Sequence, residues 1–245
     1  REMIAKVLRE PLHLKLNSVD QLSATTVQQI ITADDATHKE RLVQWLLSNE
    51  PHRKAMIFCN TRAQVDRLYG HLVALDYKAF VLHGEKDQKD RKLAIDRFRQ
   101  GGSKVLVATD VAARGLDIDD LDLVINFDMP RSGDEYVHRI GRTGRAGASG
   151  LAISLICHND WNLMSSIERY LKQRFERRVI KELKGSYQGP KNVKASGKAV
   201  GVKKKKTDKK DGAKKSASKT APKRRANAPK AAPVSYTHLR AHETR

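Results

Sequence analysis

Short apolar segments alternate with amphipathic helical patterns between residues 26 and 171, and this alternation constrains the fold more than any other feature. The strand candidates are 26–32, 55–59, 79–82, 105–109, 123–127 and 151–157, and the helix candidates are 38–49, 61–75, 88–100, 132–140 and 160–171. Nearly all of the strand candidates are continuously apolar, as strands covered on both faces are. The alternation predicts right-handed crossovers, and therefore an α/β fold whose parallel sheet carries helices on both faces.

Polar residues follow four of the predicted strands. They are Asn60-Thr61-Arg62, His83-Gly84-Glu85, residues 109–117 and residues 128–131. Ligands of such sheets bind at the carboxyl ends of the strands, and a helix N-terminus beside a hydroxyl group suits a phosphate. A row of such positions predicts a site for a backbone of many phosphates, although Thr61 and Thr109 could also serve only as helix caps.

Residues 138–147 read His-Arg-Ile-Gly-Arg-Thr-Gly-Arg-Ala-Gly, with arginines at every third position. Residues three apart on a helical turn share a face, so Arg139 and Arg142 can point together. The interspersed glycines predict a helix that ends in a loop. Because guanidinium groups match phosphate oxygens, the segment predicts a phosphate site; the alternative is a solvated basic helix end.

Together these segments resemble motifs IV, IVa, V/Va and VI of the DEAD-box RNA helicases. The matching stretches are 58–62, 83–84 with 88–91, 107–118 and 138–147, in the family's order. The resemblance covers about residues 1–183. It implies the RecA-like C-terminal lobe, a sheet of the P-loop NTPase type at residues 17–183. Residues 1–16 then resemble the end of a first lobe and the interlobe linker, with ATP and RNA bound between the two lobes.

The resemblance also implies a role for individual residues. It assigns catalysis as arginine fingers to Arg142 and Arg145, and nucleotide binding to Gly115 and Asp117 as well as to the two arginines. It assigns contact with the RNA backbone, or bracing of the loops that make this contact, to Thr61, Arg62, Gly84, Gln88, Arg91, Thr109 and Asp110. It assigns coupling between the nucleotide and RNA sites to His138 and Arg139. Structural alternatives are a capping role for Asp110, a surface pair of Gln88 and Arg91, and an Asp117–Arg114 pair.

Sequence features of the family's first lobe are absent from this chain. No Gly-x-x-x-x-Gly-Lys-[Ser/Thr] loop and no Asp-Glu-Ala-Asp run occurs in it. We therefore expect ATP and Mg²⁺ to be held mainly by the other lobe, no metal site in this one, and no ATP hydrolysis by this chain alone. The resemblance implies half of an ATP-dependent RNA helicase that unpairs short duplexes.

A non-catalytic RNA-binding or RNA-chaperone module is the alternative function. Intact Arg142, Arg145 and Asp117 favour the helicase, because a pure binder has no use for γ-phosphate ligands. His138 and the Ala-Arg-Gly-Leu-Asp run disfavour a DNA-directed relative. The resemblance points to bacterial members that act in ribosome assembly or RNA turnover, so pre-ribosomal particles or RNA-decay proteins are the expected partners beside RNA and the first lobe.

The positive charge is concentrated in the C-terminal quarter. Of the net charge of +20, residues 184–245 carry +16, with 19 Lys and Arg against three acidic residues, so residues 1–183 carry +4. Residues 184–233 contain no Phe, Trp, Leu or Ile and cannot bury a core, which predicts a disordered Lys/Ala-rich tail. Such a tail can bind RNA without sequence preference, or it can simply keep the protein in solution.

The remaining features bear on location and processing. Cys59 and Cys157 lie in apolar runs, which predicts buried free thiols in a reducing compartment, and we expect a cytoplasmic protein. No segment approaches the length of a membrane span. The last twelve residues, 234–245, resemble a translated sequencing adapter, and we expect them to lie outside the fold.

Overall fold

Seven parallel strands form a single sheet in a computed structural model that describes residues 25–200, except residues 86, 117, 119 and 145–148. The strands are β1 (Thr26–Thr32), β2 (Ala55–Phe58), β3 (Ala79–Leu82), β4 (Val105–Ala108), β5 (Leu123–Asn126), β6 (Gly150–Ile156) and β7 (Glu176–Arg177). Their order across the sheet is β3-β4-β2-β5-β6-β1-β7, and every pairing is parallel. The predicted α/β fold with a parallel sheet is confirmed.

Six α-helices connect or follow these strands. They are α1 (Ala36–Asn49), α2 (Arg62–Ala74), α3 (Gln88–Arg99), α4 (Asp110–Ala113), α5 (Gly133–Ile140) and α6 (Trp161–Leu171), and a 3₁₀ turn follows at Lys181–Leu183. Asp35, Thr61 and Ser132 cap α1, α2 and α5, because each side-chain oxygen accepts a backbone N–H of the first turn. Among the described residues, no helix is both long enough and apolar enough to cross a membrane.

The helices cover both faces of the sheet because successive strand residues point to opposite sides. On β2, Ala55 and Ile57 belong to the core under α1 and α2, whereas Met56 and Phe58 belong to the core under α3 and α4. Helices α5 and α6 complete the second face around Tyr136. Burial of each large apolar side chain contributes about 1.5–3 kcal/mol, so both layers are needed for stability.

The predicted elements lie within two residues of the observed ones, with two additions. The short strand β7 is not among the predicted strands. The single-turn helix α4 is the helix that a capping role for Thr109 or Asp110 implies, but neither element is long enough for a periodic pattern to set its bounds. Leu75, the last residue of the predicted helix 61–75, lies just after α2 and is 37% exposed. Cys59 and Cys157 are free thiols as expected, although Cys157 is only partly buried.

The predicted onset of disorder at residue 184 is wrong for residues 184–200, which we call the strap. The strap packs against α6 and the loop after β1 through hydrogen bonds that composition does not reveal. The Asp34 carboxylate accepts the N–H groups of Ser186 and Tyr187 at 2.8 and 2.6 Å, and Trp161 Nε1 donates to the Gly197 carbonyl at 3.1 Å. The expectations for residues 1–16, 201–233 and 234–245 lie outside the described residues.

Candidate functional site

One buried arginine joins the ends of three neighbouring strands. Arg139 on α5 is 1% exposed, and its Nε and Nη2 donate to the two oxygens of Asp110 at 2.6 Å each. Its Nη2 also donates to Asn60 Oδ1 at 2.8 Å, and its Nη1 donates to the Asp128 carbonyl at 2.6 Å and to Asn126 Oδ1 at 3.2 Å. We call these five residues the Arg139 junction.

The topology explains why these partners meet. Asn60 follows β2, Asp110 follows β4, and Asn126 and Asp128 end and follow β5, while β4, β2 and β5 are adjacent in the sheet. The carboxyl ends of adjacent parallel strands lie at one edge, and α5 delivers the guanidinium across them. Asn60 tightens the junction, because its N–H donates to Asp128 Oδ2 and its side chain donates to the Met129 carbonyl, both at 2.9 Å.

A cavity of about 290 Å³ opens beside the junction between α4 and α5. Its walls include Phe58, Arg114, His138, Arg139 and Arg142. The two arginines that the sequence places three residues apart therefore do face one space. The helix ends at Ile140 with Gly141 as its C-cap, as the glycine pattern predicts.

Arg142 is held at this cavity by its surroundings. It is half-buried, its Nη1 donates to the Leu116 carbonyl at 2.7 Å, and its own carbonyl accepts the Leu121 N–H at 3.2 Å. Gly115 precedes this carbonyl in a left-handed backbone conformation, with φ of 73°, that glycine adopts without strain. His138 is exposed at the cavity. The predicted nucleotide ligands Asp117 and Arg145 lie outside the described residues.

An exposed rim adjoins the junction at the ends of β2 and β3. Arg62 on α2 forms an ion pair with Glu85, and both side chains are more than half exposed. His83 Nε2 lies 3.1 Å from Asp66 Oδ1, which ties the loop after β3 to α2. We call Thr61, Arg62, Gly84 and Glu85 the rim.

The other predicted RNA residues occupy different settings. Gln88 is exposed, whereas the Nη2 of Arg91 donates to the Ala112 carbonyl at 2.7 Å and so links α3 to α4. Thr109 is buried at the N-cap position of α4 without a side-chain capping bond. Both oxygens of Asp110 accept from Arg139, which gives this residue a bracing role rather than a capping one. The structure thus brings Asp110 and Arg139 together, although the sequence separates their predicted roles.

Sequence reasoning missed Asn126 as a functional candidate. Asn126 is fully buried, and its Nδ2 donates to Ser154 Oγ at 3.0 Å while its Oδ1 accepts from Arg139. The available signal was a polar residue within an otherwise apolar strand, because a buried amide requires partners. Cys59 lies near the junction, where burial raises the pKa of its thiol well above the ordinary value. A raised pKa favours the neutral thiol over the nucleophilic thiolate.

The described residues offer no metal centre in themselves. Within these ranges, no three His, Cys, Asp or Glu side chains are grouped so that they could hold a metal ion. The charged groups at the cavity instead suit a phosphorylated ligand. The guanidinium of Arg142, oriented by the Leu116 carbonyl, is chemically fit for the phosphate end of a nucleotide.

Comparison with known proteins agrees with this arrangement. Residues 37–147 match the model of the helicase conserved C-terminal domain. A crystallised Escherichia coli DEAD-box protein SrmB, bound to regulator of ribonuclease activity A, is 43% identical with a TM-score of 0.65, and the match covers 68% of this chain and 98% of that chain. S. cerevisiae Dbp5 bound to RNA and ADP BeF3 is 30% identical with a TM-score of 0.63, and the match covers 72% of this chain and 47% of that chain.

The chain is also similar to longer proteins, of which it matches only a part. SrmB of Escherichia coli (strain K12) is 40% identical over 190 residues, which are 78% of this chain and 43% of that protein. The chain spans between 16% and 44% of the length of the first curated relatives it matches. The helicase-domain match, the near-complete coverage of the crystallised SrmB chain and the shared fold show that this chain belongs to the DEAD-box RNA helicase family, as a C-terminal lobe.

Proposed function

We propose that this lobe supplies the RNA-backbone grip and the arginine fingers of an ATP-dependent RNA helicase that separates short RNA duplexes. The observation that carries the proposal is the Arg139 junction. Its hydrogen bonds connect the segment after β2 with helices α4 and α5. The segment after β2 leads to the rim, and the two helices line the cavity. A movement at either place is therefore transmitted through one set of buried hydrogen bonds. The ATP-dependent RNA helicases among its relatives support the same assignment.

On the nucleotide side, Arg142 and Arg145 would contact the terminal phosphate, with Asp117 and Gly115 at the rest of the nucleotide. ATP supplies the phosphoanhydride bond whose hydrolysis drives the cycle, and Mg²⁺ would be held mainly by the first lobe. Arg142 is already oriented by the Leu116 carbonyl, so little rearrangement is needed to present it. A positioned arginine of this kind stabilises the charge of the transition state and raises the rate of hydrolysis by a factor of about 10³–10⁵.

On the RNA side, Thr61, Arg62, Gly84, Gln88, Arg91 and Thr109 would hold the sugar-phosphate backbone or support the loops that do. Such contacts position RNA without reading its bases. Arg62 stands on the first turn of α2, where the helix dipole also favours a phosphate. His138 and Arg139 would couple this grip to the nucleotide. The Dbp5 structure with RNA and ADP BeF3 supports the joint use of both ligands.

Two observations bear on the cellular setting. The relationship to SrmB, which has been crystallised with a regulator of ribonuclease activity, favours a role in RNA turnover or ribosome assembly, with RNA-decay proteins or pre-ribosomal particles as partners. The free thiols of Cys59 and Cys157 favour a reducing compartment, the cytoplasm.

The decisive experiment measures RNA-stimulated ATP hydrolysis by the full-length protein that contains this lobe. We expect Arg142→Ala to lower the rate by about a hundredfold or more, and Arg97→Ala, an exposed arginine on α3, to leave it unchanged. The chain of 245 residues alone should hydrolyse no ATP. A full-length protein that binds RNA but never hydrolyses ATP would instead establish the RNA-binding or RNA-chaperone module.

A further inference from the structure

Hydrogen bonds hold the strap in a defined conformation, although its only large aliphatic side chains are two valines. After its anchor at Asp34, its residues 192–200 form a hairpin: Lys194 N–H donates to the Lys198 carbonyl at 2.8 Å, and Val200 N–H donates to the Asn192 carbonyl at 3.0 Å. Val193 and Ala199 form the antiparallel bridge of this hairpin. The strap is therefore a folded part of the lobe.

Side chains of α6 bind the hairpin through its backbone. Asn162 Oδ1 accepts the Ala199 N–H at 2.9 Å, and Arg169 Nη1 donates to the Ser196 carbonyl at 2.6 Å. Gly197, with φ of 78°, lies so close to α6 that an added Cβ would stand 2.5 Å from Ser165 Oγ. The docking uses main-chain groups, glycine and the packed side chains of Tyr187 and Ala199, and it does not require the lysine side chains of the strap.

These lysines form an uncompensated positive surface. Lys184, Lys191, Lys194 and Lys198 are exposed, and the strap contains no acidic residue. The register of the hairpin places Lys194 opposite Lys198, an arrangement of like charges that destabilises a strand pair in the absence of a counter-charge. Among the ion pairs between described residues, none involves a lysine of the strap.

The neighbouring surface of α6 has the same sign. A cavity of about 220 Å³ between the end of α6 and the hairpin is lined in part by Arg169, Lys172 and Arg174. Its acidic member, Glu168, is engaged by Arg174 at 3.2 Å and by the Phe175 N–H at 3.0 Å. Ala195 and Ser196, which lie between Lys194 and Lys198 in the hairpin, line the same depression. The strap and the end of α6 thus present neighbouring cationic groups, which suits phosphates spaced along a chain.

We propose that the strap and the end of α6 form a second binding surface for the sugar-phosphate backbone of single-stranded RNA, separate from the rim and cavity. The strap is anchored to Asp34, which follows β1 at the edge of the sheet that carries the rim, and its hairpin lies along α6. RNA is favoured over an acidic protein because the large exposed apolar side chains of the strap are only two valines, Val193 and Val200, whereas four of its lysines are exposed and protein interfaces bury larger apolar cores. The inference rests on the proposed RNA function.

A residue-resolved test is acetylation of lysines in the full chain with and without a uridine homopolymer, read by peptide mass spectrometry. We expect RNA to slow the acetylation of Lys194 and Lys198 by about threefold or more, as bound phosphates exclude the reagent. Lys78 and Lys104, exposed in the turns before β3 and β4 at the opposite sheet edge, should react at an unchanged rate. Absence of protection, or equal protection by polyglutamate, would overturn the proposal.

Matched variants add a thermodynamic readout. Lys194→Gln/Lys198→Gln should reduce the slope of log K against log salt by about 1.4, since each phosphate neutralised on a single strand contributes about 0.7. Lys78→Gln/Lys104→Gln removes the same charge and should leave the slope unchanged, so an equal loss in both would refute a local site. RNA binding that needs Arg62 but not the strap would sink this inference alone; no RNA binding at all would sink the proposed function.

Discussion

Arg139 and Arg62 both pair with a carboxylate in segments that resemble helicase motifs, yet their surroundings are opposite. Arg139 is 1% exposed and donates five hydrogen bonds to four residues. Arg62 is 57% exposed, and its partner Glu85 is 64% exposed. The first guanidinium is a structural tie at the centre of the site, and the second stands in solvent where a phosphate can replace its partner.

A third pair lies between these extremes. Asp122 is 26% exposed and accepts the N–H groups of Arg53 and Lys54 as well as the Arg53 side chain, which is itself 82% exposed. The contribution of an arginine–carboxylate pair to stability therefore depends on how deeply the pair is buried and on how many other partners its two groups have. Breaking a buried pair leaves an uncompensated charge, whereas an exposed pair is worth about 0–1 kcal/mol. Motif identity alone does not separate these cases.

The largest effect should come from removing the tie itself. Arg139→Gln leaves the Asp110 carboxylate without its bidentate partner and removes donors from Asn60, Asn126 and Asp128. We expect a loss of about 3–5 kcal/mol in the free energy of unfolding, measured by urea denaturation. Arg97→Gln, an exposed position on α3, should change stability by less than about 0.5 kcal/mol. A loss below about 1 kcal/mol in Arg139→Gln would show that the junction is not a structural tie.

A smaller loss should follow removal of the amide that supports Arg139 from within the sheet. Asn126→Ala deprives Arg139 Nη1 of one acceptor and Ser154 Oγ of a donor, so we expect a loss of about 1–3 kcal/mol. Combined with Ser154→Ala in a double-mutant cycle, the coupling energy should exceed about 0.5 kcal/mol because the two side chains are in contact. Additive losses would mean that Asn126 acts only by filling space.

The sequence predicts the layers of this fold well, because continuous apolar runs and helical spacing are local signals. It also places Asn60 and Asp110 at one edge, since both follow parallel strands whose carboxyl ends share that edge. The sequence does not predict that Arg139 forms a bidentate ion pair with Asp110. These residues are 29 apart in the chain, and their contact depends on the angle at which α5 crosses the strands. The strap was not predicted for another reason. Its docking relies on main-chain groups, glycines and two packed side chains, Tyr187 and Ala199, and such contacts are not visible in the overall hydrophobic composition of the segment.

The intermediate pair gives a prediction with a pH signature. Partial burial of Asp122 acts to raise the pKa of its carboxyl group, but hydrogen bonds from Arg53 and Lys54 outweigh this and hold the pKa below its ordinary value. The pair therefore contributes stability above the unfolded pKa of about 3.9, and this contribution is lost as the pH falls through the lower folded pKa. Asp122→Asn should cost about 1 kcal/mol at neutral pH.

The measurement for this pair is a pH series of urea denaturation curves. The stability difference between the wild type and Asp122→Asn should narrow as the pH falls below about 4. A difference that stays constant with pH would assign the effect to altered packing rather than to the charge of Asp122.

The smallest effect on stability, and a gain in binding, should come from the rim. Glu85→Gln removes the acid that occupies Arg62, so the unfolding free energy should change by less than about 0.5 kcal/mol. The affinity of the chain for a uridine homopolymer should rise about two- to fivefold at low salt, because phosphate no longer competes with the carboxylate, and the gain should shrink as salt screens the charges.

Asp76→Asn removes the same charge from the turn before β3 at the opposite edge of the sheet, and it should leave RNA affinity unchanged. If Glu85→Gln and Asp76→Asn raise the RNA affinity by the same factor, the gain reflects net charge alone. Arg62 is then not the phosphate contact that its exposure suggests.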